Sequence, residues 1–243
     1  MENRVKFRDD VTVELVQSMG NDRSVIQAAR VSTKGAEVID GTDGVEVAID
    51  KRDRGLINFL MRDRHGTPFE HNAFTFYIEA PIFVFREFMR HRIASYNEES
   101  GRYKELEPVF YIPAENRKLI QAGKPGAYQF YEGSQNQWLT VKQETMFAAR
   151  AAYDSYVEML EAGIAKEVAR GVLPVNIYSS MFVTMNARAL MNFLSLRVDS
   201  SENRFPSYPQ REIEMVAEQM EKLWEQRMPI TAELFVEHGR VAP

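Results

Sequence analysis

The sequence reads as one domain of mixed strands and helices in which helices dominate the second half. Three observations carry that reading. Period-2 apolar alternation occurs within the first 80 or so residues, helical apolar periodicity fills the long segments after residue 140, and no internal repeat or domain linker interrupts the chain.

In chain order, Val11, Val13 and Leu15 alternate with Thr12 and Glu14, which predicts a half-buried strand over 11–16. Asp22 to Val31 then predicts a helix with Asn21 or Asp22 as its cap. Gly35 to Asp50 is acidic with three glycines and reads as a loop. A helix over 54–64 places Leu56, Phe59 and Leu60 on one face before Gly66 and Pro68 stop it. Phe74, Phe76 and Ile78 alternate with Ala73, Thr75 and Tyr77 as a strand, and Pro81 suits the first turn of a new helix. Ile112 to Gln137 mixes glycine, proline and amides and reads as an insertion or flap. Thr140 to Ala162 predicts a long helix closed by Gly163, with Val141, Ala148, Ala152 and Tyr156 as packing positions. Phe182 to Arg197 predicts another, on which Asn186, Leu190, Phe193 and Arg197 form one stripe while Arg188, Asn192 and Ser195 occupy another side. Glu212 to Trp224 closes the series, with Ile213, Val216, Ala217, Met220, Leu223 and Trp224 facing a core.

Composition narrows the chemistry. At 243 residues, 44% hydrophobic and 27% charged, the chain is ordinary for a soluble globular protein. No run approaches the roughly 18 apolar residues of a spanning helix. The opening residues MENRVKFRDD carry no apolar leader, so a cytoplasmic protein with no membrane partner is expected. A net charge of -5 argues against nucleic acid as the main ligand, which favours a basic excess. Cysteine is absent, and with it go disulfides, thiolate metal ligands and a cysteine nucleophile.

The densest polar stretch is Arg90 to Tyr103, RHRIASYNEESGRY, directly after the apolar APIFVFREFM. Three basic side chains beside a buried segment need a partner, because an unpaired buried charge is costly. Either Glu98 and Glu99 or a bound polyanion can serve, and a solvated charge run is the plain alternative. The segment HGTPFEH at 65–71 offers His65, Glu70 and His71, but it lacks the helical pairing of a zinc site and Pro68 interrupts it, so no metal is expected. Glycine-rich phosphate loops are missing too, which leaves arginines and helix ends to hold any phosphates. Ser100 has neither a nucleophile elbow nor a base at a fixed spacing and reads as a hydrogen-bonding serine. Arginine binds and stabilises negative charge but is a poor acid or base, so a cofactor must handle electrons and protons.

These residues resemble the signature of the flavin-dependent thymidylate synthases, Arg-His-Arg, seven residues, then Ser, which stands here as Arg90, His91 and Arg92 through Ser100. The resemblance extends over ARVS at 29–32, HGTPFEH at 65–71, VARGVLP at 168–174 and MNARALMNFLSLR at 185–197, and so over most of the chain. It implies an α+β fold, a single domain over 1–243 whose helix-rich second half packs on a small, mostly antiparallel sheet. It also implies a homotetramer with active sites at subunit junctions, FAD as cofactor, dUMP as substrate, and methylenetetrahydrofolate and NADPH as co-substrates.

By the same resemblance, flavin contacts would come from Ser32, Thr67, Glu70, Arg90, His91, Arg92, Glu98, Asn186, Arg188 and Asn192. Contacts to dUMP would come from Glu87, Phe88, Met89, Arg90, Glu98, Glu99, Ser100, Gly101, Arg102, Arg170 and Arg197. Arg197 would be the catalytic residue, promoting ionisation at uracil N3 and so activating C5. Two departures accompany the match. Glu87 stands where the family pattern has glutamine, and Asp199 to Pro209 reads as an insertion before Gln210. A nucleic-acid module would need a basic surface that the composition lacks. A reductase binding FAD alone would leave Arg170 and Arg197 without a task.

Overall fold

Helix caps and alternating apolar positions set the elements of the chain, seen here in a computed structural model that describes residues 4–35, 49–124 and 127–243. Strand β1 (Lys6–Arg8) precedes β2 (Thr12–Met19) and helix α1 (Asp22–Lys34). Asn21 caps α1, its side chain accepting the Arg23 amide while Ser24 reciprocates on the Asn21 amide. Residues 36–48 of the expected loop lie outside the described residues. Helix α2 (Lys51–Arg62) is capped by Asp50, and a 3₁₀ turn over Thr67–Glu70 follows with Pro68 at its start.

Strand β3 (Ala73–Pro81) buries Phe74, Phe76 and Ile78 on one face, as their alternation predicts. Pro81 leads into α3 (Ile82–Phe88), and then come β4 (Ser95–Glu98) and β5 (Val109–Tyr111). The expected flap holds an antiparallel hairpin of β6 (Ile120–Lys124) and β7 (Ala127–Tyr131). A Ser134–Gln137 capping box starts α4 (Gln135–Glu161), and Gly163, at φ +78°, turns the chain out of it. The rest comprises α5 (Lys166–Ala169), β8 (Tyr178–Met185), α6 (Ala187–Arg197), α7 (Arg211–Glu225) and α8 (Pro229–Glu237). The strands make a four-stranded sheet in the order β2-β3-β8-β4, a parallel β1-β5 pair and the hairpin. Helices and small sheets thus share the chain as the α+β reading expects.

Three sequence readings need correction. Phe182 to Met185 is strand, not helix: Met181, Val183 and Met185 point inward while Phe182 is exposed, a period of two. The helix starts only at Ala187, and Asn186 is its cap, accepting the Ala189 amide at 2.9 Å. On α2 the buried face is Ile57, Leu60 and Met61. Phe59 lies at the surface against the Arg62 guanidinium and the His65 ring. On α4 the buried positions are Ala149 and Tyr156, with Ala148 exposed, because this helix packs along a narrow seam.

The chain forms two compact units, each woven from several segments. The first comprises Met1–Thr12, Glu79–Phe88 and Glu98–Met181, and the second Val13–Ile78, Met89–Asn97 and Phe182–Pro243. The core of the first gathers Val5, Leu106, Phe110, Ala149 and Ile177, flanked by Phe7, Ile82, Tyr153 and Leu173. In the second, α6, α7 and α8 pack in succession, α2 packs on α8, and Trp224 meets Phe235 edge-on. One long-range cap holds this unit: buried Asp22 accepts the Ile230 and Thr231 amides, both at 2.9 Å, at the start of α8.

Candidate functional site

The expected ligand residues sort by unit. The expected flavin set lies in the second unit except for Glu98, and the expected dUMP set lies in the first except for Met89, Arg90 and Arg197.

In the second unit, α1 and α6 both pack on the 3₁₀ turn, which brings the elements carrying Ser32, Thr67, Glu70 and Arg188 together. Phe69 anchors that turn by full burial. Asn72, also buried, donates to the Phe69 carbonyl at 3.2 Å and accepts the Ala187 amide at 2.7 Å, so one side chain ties the turn to the start of α6. Arg188 pairs with the Glu70 carboxylate and donates its Nε to the Pro243 backbone oxygen at 2.6 Å. Ser32 donates to the Ala29 carbonyl, and Asn192 donates to the Arg188 carbonyl on the exposed side of α6. The Asn186 side-chain oxygen is occupied by its capping role. Among the described residues, no three metal-binding side chains of His, Cys, Asp or Glu come together.

His91 is the centre of the second cluster in this unit. Its ring stands edge-on to Phe193 with centroids 4.9 Å apart, its Nε2 accepts the Arg197 Nε–H at 3.1 Å, and its carbonyl accepts the Tyr96 hydroxyl at 2.7 Å. Met89, Arg90 and Arg92 are exposed around it. Burial, with the Arg197 charge adding to it, pulls the His91 imidazole down to about 4 from its usual 6.5. A neutral ring that accepts at Nε2 carries its proton on Nδ1, so the Arg197 bond fixes the tautomer.

Between pH 4 and 6.5 the unfolded chain therefore binds more protons at His91 than the folded one does. The stability that this histidine contributes is complete above pH 6.5 and is lost as pH falls toward 4. In an NMR titration the His91 ring signals should stay flat down to pH 5, and a midpoint near 6.5 would contradict the burial argument.

In the first unit, the chain from Glu98 to Arg102 is held from several sides. Glu99 donates its amide to the Ser180 carbonyl at 2.8 Å, accepts the Ser180 hydroxyl at 3.3 Å and pairs with Lys104 at 2.9 Å. Half-burial raises the Glu98 carboxyl, while Ser179, Arg86 and Arg170 oppose that rise. The Ser100 carbonyl accepts the Tyr103 amide in a turn, and its hydroxyl accepts the Arg102 amide at 3.3 Å. That contact is a turn bond and supplies no general base. Gly101 is buried, and a Cβ there would sit 3.2 Å from both Arg170 Cδ and Leu106 Cδ1, so the glycine lets the loop lie against Arg170. Arg102 pairs with Glu167 at 2.9 Å. Glu87 is half-buried, whereas the Phe88 ring is wholly inside, so any ligand contact from Phe88 must come from its backbone.

Several contacts that set this geometry escaped the sequence reading, in which Tyr156 stood only as a packing position. Tyr153 and Tyr156 of α4 bracket the Leu106 peptide, one hydroxyl donating to its carbonyl at 3.3 Å and the other accepting its amide at 3.4 Å. Glu167, Ser179 and Asn72 are similar cases. All reach across tens of residues, and nothing in local spacing announces them.

Comparison with known proteins finds close similarity over nearly the whole chain. The model of the Thy1 family, described as thymidylate synthase complementing protein, matches residues 14–230. The flavin-dependent thymidylate synthase of Streptomyces avermitilis is 58% identical over 239 residues, covering 98% of this chain and 95% of the relative. That of Tropheryma whipplei is 56% identical over 237 residues, covering 98% and 97%. Among solved structures, the UMP/dUMP methylase PolB from Streptomyces cacaoi, bound with 5-Br dUMP, is similar with a TM-score of 0.91 and 50% identity, covering 98% of this chain and 100% of that one.

Proposed function

This chain belongs to the Thy1 family of thymidylate synthase complementing proteins, and we propose that it makes dTMP from dUMP, with methylenetetrahydrofolate as carbon donor and NADPH-reduced FAD as hydride source. The observation that carries the reading is the seat of Arg197. A guanidinium in the last turn of α6, beside the buried Phe193 and Leu194, is oriented by a neutral imidazole from the Arg-His-Arg motif.

Nucleotide binding falls to the loop around Ser100. Arg102 and Arg170 supply the positive charge for a phosphate, and Gly101 lets the loop backbone approach. Glu87 would face a base edge or an arginine, since a carboxylate beside a phosphate repels it. Arg197 presents planar donors to the uracil O and N edge, where negative charge grows as C5 attacks the methylene carbon. With no cysteine in the chain, a thiolate adduct at the pyrimidine is unavailable, and this stabilisation of the ring anion becomes the main lever on C5.

The donor set of the second unit fits a flavin dinucleotide. Arg90, Arg92 and Arg188 offer charge for a diphosphate, while Thr67, Asn186, Asn192 and Ser32 offer neutral hydrogen bonds. When bound and reduced, FAD supplies the hydride that completes the methyl group. His91 keeps Arg197 in place, and Glu70 keeps Arg188.

A homotetramer with active sites at subunit junctions belongs to the same proposal. Its support is the 27-residue α4, of which only Ala149 and Tyr156 are buried among the described residues, beside exposed Leu139, Phe147, Ile164 and Val168.

The test is flavin uptake. After reconstitution with FAD and desalting, the protein should retain visible flavin absorbance and oxidise NADPH in a manner that responds to dUMP. Protein that stays colourless at every FAD concentration contradicts the reading. UMP belongs in the same assay, because PolB is named for both nucleotides.

A further inference from the structure

The segment Gly239–Pro243 is fastened by three arginines. Arg240 forms a bidentate pair with Glu221 at 2.6 and 2.9 Å, and both residues are buried. Arg64 donates Nη2 to the Ala242 carbonyl at 3.0 Å, and Arg188 donates Nε to the Pro243 backbone oxygen at 2.6 Å. Arg64 and Arg240 themselves adopt φ +61° and +56°, a region that side-chain-bearing residues rarely occupy. Ala242 and Pro243 are buried in turn.

The last of those bonds ends on a residue of the proposed flavin site. Arg188 Nη1 pairs with Glu70, its Nε is taken by Pro243, and one side of the group lies against Gly66. A Cβ on Gly66 would stand 2.4 Å from Arg188 Nε, 2.6 Å from its Cζ and 2.7 Å from the Pro243 backbone oxygen. No side chain fits there without displacing the arginine and the Pro243 backbone. Two donor positions are thus committed and one side is walled, while Nη2 has no partner among the described residues and the side chain is 41% exposed. A simple surface ion pair with Glu70 would require neither the Pro243 backbone oxygen nor the glycine.

We propose that Gly66 and the segment Gly239–Pro243 are positioning elements for the cofactor, holding Arg188 so that its remaining Nη2 edge faces an acceptor oxygen of bound flavin. The inference rests on the reading of Arg188 as a flavin contact and adds the residues that aim it. Gly66 and Pro243 touch no cofactor in this account and act through the arginine alone.

FAD titrations on the wild type, Gly66→Ala, Arg188→Ala and the double variant test it, each with a thermal melt. Gly66→Ala and Arg188→Ala should each weaken FAD binding by about tenfold or more, the scale of one charge-assisted hydrogen bond. The double variant should bind no more weakly than Arg188→Ala, because the glycine has nothing left to aim. Wild-type affinity in Gly66→Ala, or a double variant that loses the product of both factors, overturns the proposal. If Gly66→Ala shows no cooperative melt, deletion of residues 242–243 takes its place, with the same expectation and the same overturning results. A wild type that takes up no FAD removes the flavin reading and this inference together, whereas FAD-binding wild type with unaffected variants removes this inference alone.

Discussion

Arg197→Lys should lower dTMP formation on the order of 10²–10³-fold while the fold and FAD binding persist, which is the usual scale for removing one preorganised electrostatic group. The side chain lies half-buried in the last turn of α6, and its Nε reaches His91 Nε2 at 3.1 Å. Lysine keeps the charge but has neither the Nε donor that engages the imidazole nor the planar fork that spans two acceptors on a pyrimidine edge. If Arg197 is instead a structural partner of His91, the same change lowers the melting temperature and leaves turnover per folded, FAD-bound site nearly intact. Measuring both quantities on one preparation separates the two roles.

Glu221→Ala should destabilise the protein by about 3–5 kcal/mol, the range for breaking one side of a buried ion pair. Arg240 is 5% exposed and makes both of its charge-assisted bonds to this carboxylate, with its guanidinium 5.1 Å from the Phe235 ring centroid. Without Glu221 a full positive charge stays buried, with the charge of Glu225 left to offset it in part. In a chain of this size, that loss corresponds to a fall in melting temperature of roughly 6–20 °C. Replacing both partners by Leu and Met should recover most of it, since the desolvation cost of each ion disappears with the pair. A single variant that melts like the wild type would show that the pair contributes nothing.

Where local periodicity had one interpretation, the fold was legible. Phe74, Phe76 and Ile78 marked β3, and the inward row from Ile213 to Trp224 marked α7. Phe182 to Met185 was not legible, because a short apolar run fits both a strand and the first turn of a helix, and only pairing within the sheet decides. The face of α2 was misread by one position, since Phe59 finds its cover in Arg62 and His65 at the surface rather than in the core.

The candidate site shows the same division. Arg90 to Arg92, Ser100 and Arg197 stand in motifs that the sequence displays, so their types and spacing could be read directly. The bond between His91 and Arg197 joins positions 106 residues apart, and Arg188 meets Pro243 across 55. Chain separation of that kind leaves no trace in spacing, and Gly66 gives no sign of the arginine packed against it.

Methylation of dUMP by this chain is expected to proceed through flavin chemistry and without a covalent enzyme nucleophile. The most direct measurement is chromatographic detection of dTMP from dUMP, methylenetetrahydrofolate and NADPH, with the protein either loaded with FAD or stripped of it. The account predicts dTMP from the loaded protein, none from the stripped protein, and no pyrimidine adduct at Ser100 by mass spectrometry. Folded, FAD-loaded protein that forms no dTMP, or forms it equally well when stripped, would contradict it.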